Sequence, residues 1–222
     1  MRTSNSIKNI IFSMSSQLII IILGFLSRKV FLDNLGVEYL GINGLLTNVL
    51  SMLSLVEGGI GTSIVYNLYK PLANNDTKKV TALVQLYKKL YGILAILVAI
   101  LSLMLYPFLG SLMNGGTSGK YITVVYFIFV IKNLISYLNA HKWSLINADQ
   151  KGYVLAKYNL IFNILTTVSK IIVLVVTNNY ILFLLIEIAI FVIQNLWNGK
   201  VVNERYPYIK TKKKYTIDKE IK

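Results

Sequence analysis

Five charged side chains interrupt otherwise apolar stretches of this chain: Arg28, Glu57, Lys132, Lys170 and Glu187. An ionised group inside a bilayer is expensive, so each should face a bundle interior or a wet cavity, or pair with another. Glu57 lies in Leu55-Val56-Glu57-Gly58-Gly59-Ile60-Gly61. It reads either as an ion-coupling or gating carboxylate, with Gly58, Gly59 and Gly61 as the hinge, or as a structural carboxylate paired with a neighbouring helix. Lys132 follows about eleven apolar-run residues, which at a helical rise of ~1.5 Å puts it ~16 Å deep, near the midplane. A cation there suits an anionic substrate such as a diphosphate; the alternative is a salt bridge, for instance to Glu57. Lys170 and Glu187 stand equally far before and after Asn178-Asn179. Antiparallel helices joined by a tight turn bring such residues to one depth, so this pair is expected to be a structural ion pair. Arg28, beside Lys29, is either a snorkelling helix-end cation or a substrate-binding cation at the external mouth of a cavity.

No catalytic constellation accompanies these charges. The sequence holds no P-loop, no Rossmann glycine pattern, no H-E-x-x-H and no G-x-S-x-G. There is no cysteine, and the single His141 cannot build a metal site alone. No enzyme activity, metal or cofactor is expected.

The elements that must carry these residues are six long apolar runs. A helix of ~20 apolar residues crosses a ~30 Å hydrocarbon core. The predicted spans are 8–31, 39–68, 83–109, 121–146, 154–177 and 180–202. The second is long enough to tilt or bend near its glycines, and the third ends at Asn114-Gly115-Gly116. The first follows Arg2 and Lys8 without an A-x-A-like cleavage site, and further spans follow it, so it reads as a transmembrane helix and not a signal peptide. Hydrophobic residues make up 55% of the 222, mean hydropathy is +0.60, and charged residues are 14%, against ~25% in soluble domains. The expectation is an all-α polytopic membrane protein: a six-helix lobe over residues 1–204 and a basic tail over 205–222.

Net charge is +14, but its placement argues against nucleic acid. Eighteen Lys and Arg fall at the N-terminus, in the 70–89 and 142–157 connectors and from Lys200 onward; three, Arg28, Lys29 and Lys120, fall on the other side. This bias puts both termini in the cytoplasm. A second six-helix unit appended to such a lobe would enter in the same orientation, the geometry of a parallel repeat. Most of the 15 tyrosines cluster near span ends, as an aromatic belt does.

The stretch 31–76 carries a resemblance. It contains Leu35-Gly36-Val37-Glu38-Tyr39-Leu40-Gly41-Ile42-Asn43-Gly44-Leu45, the Glu57 segment, and Leu68-Tyr69-Lys70-Pro71-Leu72-Ala73. Together with Asn147-Ala148-Asp149-Gln150-Lys151-Gly152-Tyr153 it resembles the N-terminal half of bacterial polysaccharide (O-antigen) flippases. These belong to the multidrug/oligosaccharidyl-lipid/polysaccharide (MOP, MATE-like) exporter superfamily. The resemblance implies two six-helix lobes around a central cavity, and alternating access that moves an undecaprenyl-diphosphate-linked oligosaccharide across the cytoplasmic membrane. It implies cavity cations, for which Arg28, Lys132 and Lys170 are the candidates; motif matching supports Arg28 and Glu57. Family members carry twelve or more spans. This chain would then be the N-terminal lobe, 205–222 the interlobe linker, and its partners the bilayer, the lipid-linked glycan and a C-terminal lobe or second subunit.

Three other readings make different demands. Half of a multidrug/cation antiporter would have an acid-dominated cavity. A glycan polymerase or ligase would need a large external loop with catalytic Arg or His. A non-transporting scaffold for glycan-assembly enzymes would need neither. The topology is testable directly, because a chain without cysteine accepts single reporters. Cysteine at Thr117 should react with an impermeant thiol reagent in intact cells and cysteine at Thr77 should not; reversed labelling would invert every depth assigned above.

Overall fold

The computed structural model describes residues 2–54, 60–112, 119–211, 213 and 215. Among them every regular element is helical: α1 (Arg2–Ser54), α2 (Ile60–Ala73), α3 (Thr77–Leu105), α4 (Leu109–Leu112), α5 (Gly119–Tyr137), α6 (Ala140–Ala148), α7 (Tyr153–Thr177) and α8 (Tyr180–Arg205), with short 3-10 turns at Tyr106–Phe108 and Pro207–Lys210. Among the described residues four stretches are long and apolar enough to cross a membrane: Thr77–Phe108, Lys120–Tyr137, Tyr153–Thr177 and Tyr180–Arg205. Large apolar side chains such as Phe25, Leu103, Val176 and Leu196 point outward. That is the arrangement of a bundle whose solvent is lipid.

The remaining predicted spans fall on α1 and α2. α1 is two helical arms meeting at Gly36, whose φ of 82° and ψ of −179° lie in a region essentially reserved for glycine. The kink falls between predicted spans one and two. It is clasped by aromatics: Phe31 before it and Tyr39 after it both stand edge-on to the buried Tyr180 at the start of α8, with ring centroids 5.7 and 5.4 Å apart. The Tyr180 hydroxyl donates to Asn43 Oδ1 at 3.1 Å, so the second arm is tied to α8 as well. Predicted span two covers the second arm and part of α2. Glu57, Gly58 and Gly59 lie outside the described residues, as does Asn114-Gly115-Gly116.

Local chemistry sets the helix ends. Asp76 caps α3, its carboxylate accepting from Lys79 N at 3.0 Å. Asn178 adopts a left-handed φ of 48° and closes α7. Asn179 then caps α8, accepting from the backbone N–H of Ile181 and Leu182. Within the apolar runs Thr47, Ser51, Ser102, Thr166 and Thr177 each donate to the carbonyl four residues back. A hydroxyl satisfied inside its own helix can sit in lipid at little cost.

Predicted span four, 121–146, is broken in the structure. α5 ends at Tyr137 and α6 begins at Ala140. The cause is Asn139, buried between them, whose Nδ2 donates to Asn195 Oδ1 at 2.6 Å and Asn195 O at 3.2 Å. Such a side-chain partner competes with the helical ladder. The close approach favours a glycine on α8: a Cβ at Gly199 would stand 3.0 Å from Asn139 Nδ2, and the amide would have to give way.

Two apolar clusters hold the bundle. One joins α2, α3, α6 and the end of α8 through Leu68, Leu83, Leu145, Ile146 and Val202. The other joins α1, α5, α7 and the start of α8 through Leu46, Val125, Tyr126, Leu174 and Tyr180. Beyond α8, the Tyr206 hydroxyl donates to Asp149 at 2.6 Å, and Gln85 holds the carbonyls of Thr211 and Lys213. The start of the tail is thereby fastened to the bundle.

The kink can be isolated by mutation, since an added Cβ meets nothing within 4 Å at either Gly36 or Gly41. Gly36→Ala should cost about 1–3 kcal/mol through its backbone alone, while Gly41→Ala, inside a helix, should be neutral or stabilising. Unfolding in mild detergent reads both; equal effects would mean that the kink carries no conformational constraint.

Candidate functional site

The tight Asn178-Asn179 turn puts Lys170 and Glu187 at one level of the α7–α8 hairpin, and α5 passes the same level at Lys132. Lys170 Nζ donates to Glu187 Oε2 and Lys132 Nζ to Glu187 Oε1. One carboxylate is therefore shared by two ammonium groups. Lys170 also lies over the Phe183 ring, 4.2 Å from its centroid, a cation–π contact that strengthens away from water. The three are unequally buried. Side-chain exposure is 17% for Lys170, 18% for Glu187 and 36% for Lys132, so the lysine on α5 keeps an open side.

That open side faces a cavity of about 500 Å³ between α1, α5, α7 and α8. Lys132, Lys170 and Glu187 line one wall. Both arms of α1 supply the other, with Arg28 from the first and Asn43, Thr47 and Asn48 from the second. Asn163 and Thr167 of α7 add further hydrogen-bonding groups. Among the described residues the charged lining is three cations and one carboxylate, an excess of two positive charges. Nothing in it resembles a nucleophile–base pair. Among the described residues no group of His, Cys, Asp and Glu is placed to hold a metal ion. What the arrangement can do is receive an anion: preformed cations in a low-dielectric wall attract phosphate or carboxylate strongly.

Lys132 and the Lys170–Glu187 pair, treated separately in the sequence, thus form one cluster, and Arg28 lines the same cavity. Glu57, Gly58 and Gly59 lie outside the described residues. Gly61, in the first turn of α2, lines a different cavity. The neutral polar groups were not anticipated, although a signal for them exists. Asn159, Asn163, Thr167 and Lys170 recur at helical spacing along one face of α7, and a polar stripe in an apolar span marks the side turned away from lipid.

No protein-family model, curated protein or solved structure matches this chain.

The shared carboxylate dictates an order of stabilities. Removing Glu187 strands the enclosed Lys170 and leaves the half-exposed Lys132 without its carboxylate, so Glu187→Leu should cost about 3–5 kcal/mol. Lys170→Met leaves the Lys132–Glu187 pair and should cost less. Lys170→Met with Glu187→Leu still strands Lys132 and should recover little; adding Lys132→Met should restore most of the loss. Thermal unfolding in detergent of the four variants tests this. Full recovery in the double variant would show that Lys132 does not share the carboxylate.

Proposed function

We propose that this chain is the N-terminal six-helix lobe of a transporter that passes an undecaprenyl-diphosphate-linked oligosaccharide across the bacterial cytoplasmic membrane by alternating access. The observation that carries the reading is the cavity's excess positive charge deep in an apolar bundle. A diphosphate is a compact anion that such a wall would hold, and a lipid-linked one arrives from within the membrane. Arg28 and Lys132 are the substrate-binding cations. Lys170 with Glu187 fastens α7 to α8 and keeps Lys132 in place. The resemblance of 31–76 to polysaccharide flippases supports the same assignment, with Glu57 and the glycines Gly58, Gly59 and Gly61 as the coupling or gating segment.

In this reading the two arms of α1, with α2, supply the first two of six spans, and the lysine and arginine bias sets both termini inside. A second lobe, or a second copy, closes the cavity. Arg28 and Asn48 are exposed along its margin, and groups of this polarity are not left against lipid. A cation antiporter would want carboxylates in the cavity. Among the described residues the carboxylate lining it is Glu187, and it is held by two lysines.

The experiment is binding of farnesyl diphosphate to the purified chain in nanodiscs, followed by complementation of a flippase-deficient strain with and without a C-terminal lobe. Arg28→Gln and Lys132→Gln should each weaken diphosphate binding by about tenfold or more, the worth of one charge-assisted hydrogen bond, and reduce surface glycan in parallel. Binding of a lipophilic cation instead of the diphosphate would favour the antiporter.

A further inference from the structure

A second polar region adjoins the charged cluster, one helical turn away on three helices at once. Ser136 follows Lys132 on α5, Asn159 precedes Asn163 on α7, and Phe191 follows Glu187 on α8, each by four residues. These residues line a cavity of about 370 Å³ together with Gln194 and Asn198. It shares Ser136, Trp143 and Asn147 with a neighbouring cavity of about 670 Å³ that Tyr66 and Tyr69 also line. The two adjoin along these residues, and together they make a groove-like polar face towards the end of the bundle that carries the tail.

Its chemistry is unlike that of the charged cavity. Its functional groups are carboxamides, hydroxyls and aromatic rings, with no ionised side chain among the described lining residues. Asn159 Oδ1 accepts from both Asn198 Nδ2 at 2.7 Å and Gln194 Nε2 at 2.9 Å. Asn198 is 4% exposed, and its own Oδ1 is buried without a hydrogen-bond partner. A buried acceptor without a partner is costly and calls for a donor. Trp143 is only partly covered, and Tyr66 and Tyr69 are 75% and 44% exposed, so ring faces remain open on the other side of the groove. Carboxamides that both donate and accept, opposite aromatic faces, match a pyranose ring: its hydroxyls donate and accept, and its C–H face stacks.

We propose that this aromatic–carboxamide groove binds the first uncharged sugar of a substrate whose diphosphate occupies the adjoining cationic cavity. The inference rests on the diphosphate reading above and adds to it the class of group attached, a neutral hexose or N-acetylhexosamine, and its direction, towards the tail end of the bundle. Gln194 lies seven residues beyond Glu187 on α8, about 10 Å along the axis, so sugar and diphosphate sit end to end.

The sequence supplies its own reporter. Trp143 and Trp197 are the two tryptophans, and Trp197→Phe, at an exposed position, leaves Trp143 alone. In that background, farnesyl diphosphate and farnesyl-diphospho-N-acetylglucosamine are titrated against the full chain in nanodiscs, with free N-acetylglucosamine as a third probe. The sugar-bearing diphosphate should bind at least about tenfold tighter than farnesyl diphosphate, equivalent to one or two hydrogen bonds, and alone should shift Trp143 emission. Free sugar should bind far more weakly than the conjugate. Asn159→Leu with Asn198→Leu should erase the margin and leave farnesyl diphosphate affinity unchanged; the milder Gln194→Leu should halve it or more if the double variant does not fold. Arg28→Gln should weaken both diphosphates equally and preserve the margin. Farnesyl diphosphate binding without any sugar margin, or a margin that survives Gln194→Leu and the double variant, overturns this inference alone. A chain that binds neither diphosphate overturns the proposed function and this inference together.

Discussion

One carboxylate, Glu187, answers to two ammonium groups from two other helices, and the arrangement of α5, α7 and α8 depends on it. In water such a cluster would be worth little. In a low-dielectric interior each charge is intolerable alone, so the three helices are held at the one rotation and depth that brings all three groups together. The α7–α8 turn sets two of the depths. The third, at Lys132, requires α5 to stop soon after, because Asn139 is drawn onto Asn195. The break after Tyr137, the glycine at 199 and the shared carboxylate are three consequences of one helix being seated against another.

The same economy governs the uncharged polar groups. Hydroxyls inside the spans fold back on their own helices, and Tyr126 reaches the carbonyl of Ser102 at 2.7 Å. Against lipid there is no water to take up an unpaired donor. Polar groups that instead stay open, such as Arg28 and Asn48, are gathered on one cavity. In such a protein the position of an unpaired polar group is more informative than its identity.

This explains which features were legible in the sequence. The apolar helices α3, α5, α7 and α8 were readable because length and composition suffice to mark them, and the α7–α8 turn because Asn-Asn has few alternatives between two apolar runs. The depth of Lys132 followed from counting along one helix. Its partner did not, since which of several carboxylates it meets is a matter of rotation between helices that share no short connection. Gly36 stands in a segment with two further glycines, Gly41 and Gly44, and nothing in it marks which one bends; its positive φ is fixed by what flanks it, Phe31 and Tyr39 both closing on Tyr180 from distant sequence. The break at Asn139 was hidden for the opposite reason. One asparagine in an apolar run is as compatible with a continuous helix as with a broken one until Asn195 is seen beside it.

The unequal burial within the cluster gives the proposed transporter its physical logic. Lys170 is enclosed by Glu187 and the Phe183 ring, so releasing it would strand a charge. Lys132 has a carboxylate on one side and the cavity on the other. An entering diphosphate would meet a cation partly withdrawn from solvent and held in place, and would share it with Glu187 without separating any pair. Because Glu187 balances only one of the two lysines, the anion completes the charge balance of the wall. The empty lobe therefore carries an excess that the loaded lobe does not, and mutual repulsion of cavity cations would fall when substrate binds. Alternating access needs such a difference between empty and loaded states, since a ligand shifts a conformational equilibrium only by as much as it stabilises one state over the other.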